Sequence, residues 1–132
     1  MSNIITDMIS EKGFLLADGA TGTNLFNLGL EAGEPPEFWN LNEPNKIRSL
    51  YQGSVDAGSD LFLTNSFGGN ASRLKLHNSE DQAYELSFAA SKLGREVADK
   101  SGRNVLVAGS IGPTGDIMGD AGWLSHDDAV KV

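Results

Sequence analysis

The 132-residue sequence contains no cysteine. Disulfides are excluded, and so is any metal site built from thiolates of these residues. Its two histidines, His77 and His126, stand apart from each other and from any cluster of acids. They read as solvated surface residues and not as ligands. Positive charge is also scarce. Ten Lys and Arg face 18 Asp and Glu, for a net charge of −8. No basic cluster offsets that balance, so no nucleic-acid partner is expected. Long apolar runs are missing too, and nothing approaches the ~20 residues a membrane helix needs. The opening MSNIITDMISEKG carries acids and no cationic region, which makes a poor secretory signal. A cytoplasmic protein with no membrane partner is expected. What is present, at 39% hydrophobic residues, suffices for the core of one ordinary domain.

The apolar residues are ordered in alternating patterns. Ile4, Ile5, Met8 and Ile9 fall at helical spacing and predict a short helix stopping near Gly13. Residues 14–17 are a continuous apolar run, as in a strand covered on both faces. Residues 27–43 read as a loop with a Pro-Pro pair. Pro44 then suits a first helical position, and Ile47, Leu50, Tyr51 and Val55 form one stripe ended by Gly58. DLFLT, 60–64, predicts a second buried strand. Ser79 with Gln82 reads as a capping box before a long helix marked by Ala83, Leu86, Ala90, Leu93 and Val97. NVLVAGS, 104–110, predicts a third strand, and Ser125 with Asp128 opens a last helix. Strands recur roughly every 45 residues with helices between them, which predicts a parallel α/β sheet with right-handed crossovers.

In such a sheet all strands point one way, so the segments after them share one edge, where α/β folds place their ligand sites. All three are polar and glycine-rich. In Asp18-Gly19-Ala20-Thr21-Gly22-Thr23 a carboxylate can pair with an ammonium group. The glycine-rich backbone there can offer N–H groups to a carboxylate. That pair of features suits an α-amino acid. A plain turn with Asp18 or Thr21 capping a helix accounts for the same residues. The stretch lacks the Gly-Lys-Ser/Thr of a Walker loop and reads G-x-x-G, not G-x-G-x-x-G. In TNSFGGN, Asn65 and Asn70 can donate and accept, with Phe67 as an aromatic wall or a core residue. GSIGPTG offers mostly backbone, with Ser110 and Thr114 as polar contacts or a tight turn around Pro113. Trp39 in PPEFWN can hold a quaternary or sulfonium cation or simply pack on the rim.

LLADGATGTNL, AGSDLFLTNSFGGN and VLVAGSIGPTG, in this order, resemble the N-terminal part of the homocysteine S-methyltransferase family. The version here resembles the bacterial betaine–homocysteine methyltransferase type. The resemblance runs from about residue 11 to the end. It implies a (β/α)8 TIM barrel and methyl transfer to the zinc-activated thiol of homocysteine, giving methionine, with betaine or a related compound as donor. A free thiol has pKa ~8.5 and is mostly protonated at neutral pH. By resemblance, Asp18 matches the acid that holds the amino group of homocysteine. Gly19 and Ala20 match the residues whose N–H groups meet its carboxylate, Asn65 a polar position near the substrate, and Trp39 an aromatic wall around the donor. No catalytic residue and no metal ligand is assigned in this chain.

The sequence departs from that family in two ways. It lacks the cysteines that hold zinc, which lie in later strands of the family, and it has about three strand-helix units where a barrel has eight in roughly 250 residues. Residues 1–132 are therefore expected to be a partial barrel domain. Alone, the chain is expected to bind no zinc, to be inactive, and to self-associate or pair with the missing half through its open edges. A non-catalytic half-barrel for binding or oligomerisation is the alternative. A phosphosugar-metabolising barrel is a third reading.

Overall fold

The computed structural model describes residues 3–119 and 122–131. Helix α1, Ile4–Lys12, starts at Asn3, whose side chain accepts the Ile5 N–H, and stops at Gly13 in the left-handed region. The predicted helix is present, but only Met8 of its apolar residues is buried. The run that follows is not a strand. Residues 14–17 form a single parallel bridge, Ala17 to Leu61. Phe14 and Leu16 are exposed, which corrects the expectation of a strand covered on both faces.

A short helix α2, Thr21–Asn27, follows the first glycine-rich turn, and residues 27–43, expected to be a loop, contain a second, α3 (Trp39–Asn42). A 3-10 turn, Pro36–Phe38, leads into α3. Helix α4, Pro44–Asp56, has Pro44 in its first turn and buries Ile47, Tyr51 and Val55 as the stripe predicts. Strand β1, Leu61–Leu63, follows. After a short α5, Ala71–Leu74, the long helix α6 spans Ala83–Lys100. The capping box is not formed. Ser79 donates its hydroxyl proton to the His77 carbonyl, and a 3-10 turn, Glu80–Gln82, intervenes before the helix. Strand β2, Leu106–Ala108, runs parallel to β1 in the register Leu61↔Leu106 and Leu63↔Ala108. Helix α7, His126–Ala129, begins at Ser125, which accepts the Asp128 N–H as expected.

The fold is thus α/β with two parallel strands and a bridged third segment, arranged in chain order. One sheet face is covered. Phe62 is fully buried and stacks on Tyr51 of α4, ring centroids 4.8 Å apart. On α6, a Cβ at Gly94 would stand 2.9 Å from Val107 and 3.2 Å from Phe62, so glycine there lets the helix lie directly on the sheet. The opposite face lacks a cover. Leu63, which alternates with Phe62 along β1 and so points to it, is 41% exposed.

Asp60, at the start of β1, ties the N-terminal segment to this sheet. Its carboxylate accepts the Leu16 N–H (2.9 Å) and the Lys12 ammonium (2.6 Å), with Arg103 at 3.8 Å. These partners, the Leu16 N–H foremost, hold its carboxyl below the usual range against the cost of desolvation.

Candidate functional site

The three polar segments do meet at the carboxyl edge of the sheet, and side chains lock them to one another. The first is joined to the second by Asp18. Its N–H donates to the Leu61 carbonyl, and its Oδ2 accepts the Leu63 N–H at 3.0 Å. The carboxylate thereby continues the backbone ladder just where that segment leaves the sheet. The second is joined to the third by hydroxyls. Thr64 Oγ1 lies 2.7 Å from Ser66 Oγ and accepts the Ser110 N–H, while Ser66 donates to the Ser110 carbonyl. Gly112 crosses so close to the Phe67 backbone that a Cβ would collide with the Phe67 carbonyl.

A cavity of about 540 Å³ opens over this edge, lined among others by Gly19, Glu37, Asn65, Phe67 and Arg73. Of the five residues singled out from sequence, Gly19 and Asn65 line it, and Asp18 and Ala20 flank Gly19. Asp18 is half-buried, and its Oδ1 has no protein partner among the described residues. Neither the Gly19 nor the Ala20 N–H donates to another protein group among the described residues, and nothing would stand within 4 Å of a Cβ at Gly19. The rim of the first segment therefore presents a half-free carboxylate beside bare amides.

Asn65 is engaged differently. Its Nδ2 donates to the Pro36 carbonyl (2.8 Å) and to Asn40 Oδ1 (3.0 Å), and its backbone N–H donates to the Tyr51 hydroxyl (2.8 Å). It holds the cavity wall in shape. Trp39 is not brought to the cavity. Its ring is buried in the core, its Nε1 donates to Glu34, and the cation over its face, at 4.2 Å, is the chain's own Lys46. This corrects its expected place beside a donor. His77 is exposed, as read from sequence, and its ring meets Phe38 edge-on.

Three residues of this region were not singled out as site residues. Asn40, nearly fully buried, donates to the Asn65 and Leu86 carbonyls. Tyr51 was read as core; its hydroxyl was the signal, since a buried phenol needs a polar partner. Burial, with the charge of Asp18 adding to it, pushes that phenol up to about 12 against the opposing effect of the Asn65 N–H. Glu37, 4% exposed, accepts the Gly68 N–H at 2.7 Å, and no spacing rule in PPEFWN marks it. Among the described residues no cluster of three or more His, Cys, Asp or Glu could hold a metal, and the chain has no cysteine. Zinc does not fit the residues present.

The sequence profile of homocysteine S-methyltransferase matches residues 15–132. The chain belongs to the homocysteine S-methyltransferase family. It is 32% identical over 120 residues to methionine synthase of Mycobacterium tuberculosis, covering 83% of this chain and 10% of that protein. It is 25% identical to selenocysteine methyltransferase of Astragalus bisulcatus, over 46% of that protein's length. Among solved structures it resembles the metallated form of the homocysteine methyltransferase MmuM from Escherichia coli. That match has a TM-score of 0.73 at 25% identity, over 84% of this chain and 42% of that one. The chain thus spans less than half the length of these homocysteine S-methyltransferase relatives.

Proposed function

We propose that this chain carries the amino-acid-binding rim of a homocysteine methyltransferase whose methyl donor is betaine or a related onium compound. One observation carries the reading: the half-free carboxylate of Asp18 stands directly beside the unused amides of Gly19 and Ala20. An α-amino acid presents an ammonium and a carboxylate one carbon apart, and this rim offers the complement of each. Asn65, pinned by Asn40 and Tyr51, keeps the neighbouring wall at a fixed distance. The covered and uncovered sheet faces support a partial (β/α)8 barrel, with Leu63 on the side that would face its interior. In this reading the thiolates that hold zinc come from outside the 132 residues, and the chain alone does not activate the thiol. The protein works in the cytoplasm.

The test is calorimetric titration with homocysteine and two analogues, 3-aminopropanethiol and 4-mercaptobutyrate. Each analogue lacks one of the two charges. The reading requires homocysteine to bind about tenfold or more tightly than either, the value of one charge-assisted hydrogen bond. Equal binding of all three would refute it. The uncovered apolar face supports the alternative of a half-barrel assembly module. Further strand-helix units of the barrel are its proposed cover, and a stable homodimer on size exclusion, with no binding of homocysteine, would favour the module instead.

A further inference from the structure

We infer that Glu37 selects the group entering the cavity by charge, favouring a methylated onium cation over a neutral group of the same shape. The inference deepens the methyltransferase reading, on which it rests for calling that group a methyl donor. Two carboxylates among the described residues are almost wholly buried, Asp60 at 3% and Glu37 at 4% exposure. Burying an unpaired carboxylate is costly, and proteins normally answer it with a cation. Asp60 follows the rule, with Lys12 at 2.6 Å and Arg103 at 3.8 Å. Glu37 has one hydrogen bond, from the Gly68 N–H, and no cation within 4.0 Å among the described residues. Glu37 is also among the residues that line the cavity, beside Gly68 whose N–H it accepts.

The surroundings narrow the class of cation. Glu34 lines the same cavity and adds a second carboxylate, anchored by Trp39. Phe67, 58% exposed, contributes an aromatic ring. An ammonium with N–H groups would seek acceptors aimed at it. A quaternary ammonium or sulfonium has none to satisfy, and it is held by nearby negative charge and aromatic faces. Arg73 also lines the cavity, outside ion-pair distance of Glu37, and suits a carboxylate on the same ligand.

Glycine betaine and 3,3-dimethylbutanoate share a shape and a carboxylate, and differ only in nitrogen for carbon. Any contribution of Arg73 cancels between them. Titrated into the protein and followed by NMR, betaine is expected to bind about tenfold more tightly. Glu37→Gln keeps an acceptor for the Gly68 N–H and removes the charge, so the ratio should fall to about one with the melting temperature little changed. Glu37→Asp should keep part of the preference. A ratio near one in the parent, an unchanged ratio in Glu37→Gln, or no binding of betaine would each overturn the inference. The first is the result expected if Arg73 closes on Glu37. Failure of the methyltransferase reading shows separately, as betaine preference without homocysteine binding.

Discussion

Replacing Tyr51 by Phe removes one oxygen from the centre of the molecule and leaves the ring stack on Phe62 in place. The cost follows from what that oxygen does. It accepts the Asn65 N–H at 2.8 Å, and both residues are buried, at 1% and 4% exposure. Phe cannot accept, and water cannot easily reach the orphaned amide. An unsatisfied buried donor costs about 1–3 kcal/mol. For a domain of this size that lowers the melting temperature by roughly 4–10 °C. The pH profile adds a second signature. In the unfolded chain the phenol ionises near pH 10, whereas in the folded protein it does so at about 12. Because the folded value is the raised one, this contribution is whole below pH 10. It is lost as pH climbs from 10 to 12, reaching about 3 kcal/mol. Urea denaturation of both proteins at pH 7 and between pH 9 and 12 measures both effects. The parent should weaken more steeply above pH 10 than Tyr51→Phe, the other groups cancelling in the difference. Equal stability at pH 7 together with parallel profiles would refute the reasoning.

Gly94→Ala places a methyl against Val107 and Phe62, where the helix touches the sheet. Overpacking should cost about 1–3 kcal/mol by denaturation, more than helix propensity returns. A more stable variant would show that α6 can lift without penalty. Asp60 has a folded pKa held below its unfolded value, so its contribution is present above about pH 4 and is lost as pH falls further. Asp60→Asn should be less stable at pH 7 and should flatten the acid limb of the stability profile; an unchanged acid limb would contradict the pairing with Leu16, Lys12 and Arg103.

Much of this architecture is legible in the chain because burial and periodicity coincide. The Ile47-Tyr51-Val55 stripe and the Leu86-Ala90-Leu93-Val97 face are buried as their spacing demands. Phe14–Ala17 fails the same reading because an apolar run marks a buried strand only if something covers it, and here the run lies at the edge of the sheet, joined by one bridge, with Phe14 and Leu16 exposed. Helix α2 was hidden by its composition. Thr21, Gly22, Thr23 and Asn24 are weak helix formers, and Leu25 alone anchors it in the core. At the site, the charges of Asp18 and the freedom of Gly19 are local properties that a sequence displays. The roles of Asn65 and Trp39 depend on distant partners, Pro36 and Asn40 for one and Glu34 and Lys46 for the other. Glu37 gains its meaning only from the missing cation around it, which no linear pattern records.

The direct measurement of the central claim is homocysteine affinity in Asp18→Asn. The amide keeps an oxygen for the Leu63 N–H, so the sheet edge should hold while the negative charge is lost. Affinity for homocysteine and for 3-aminopropanethiol should fall about tenfold, and that for 4-mercaptobutyrate, which carries no ammonium, should not. Undiminished capture of homocysteine by Asp18→Asn would contradict the account.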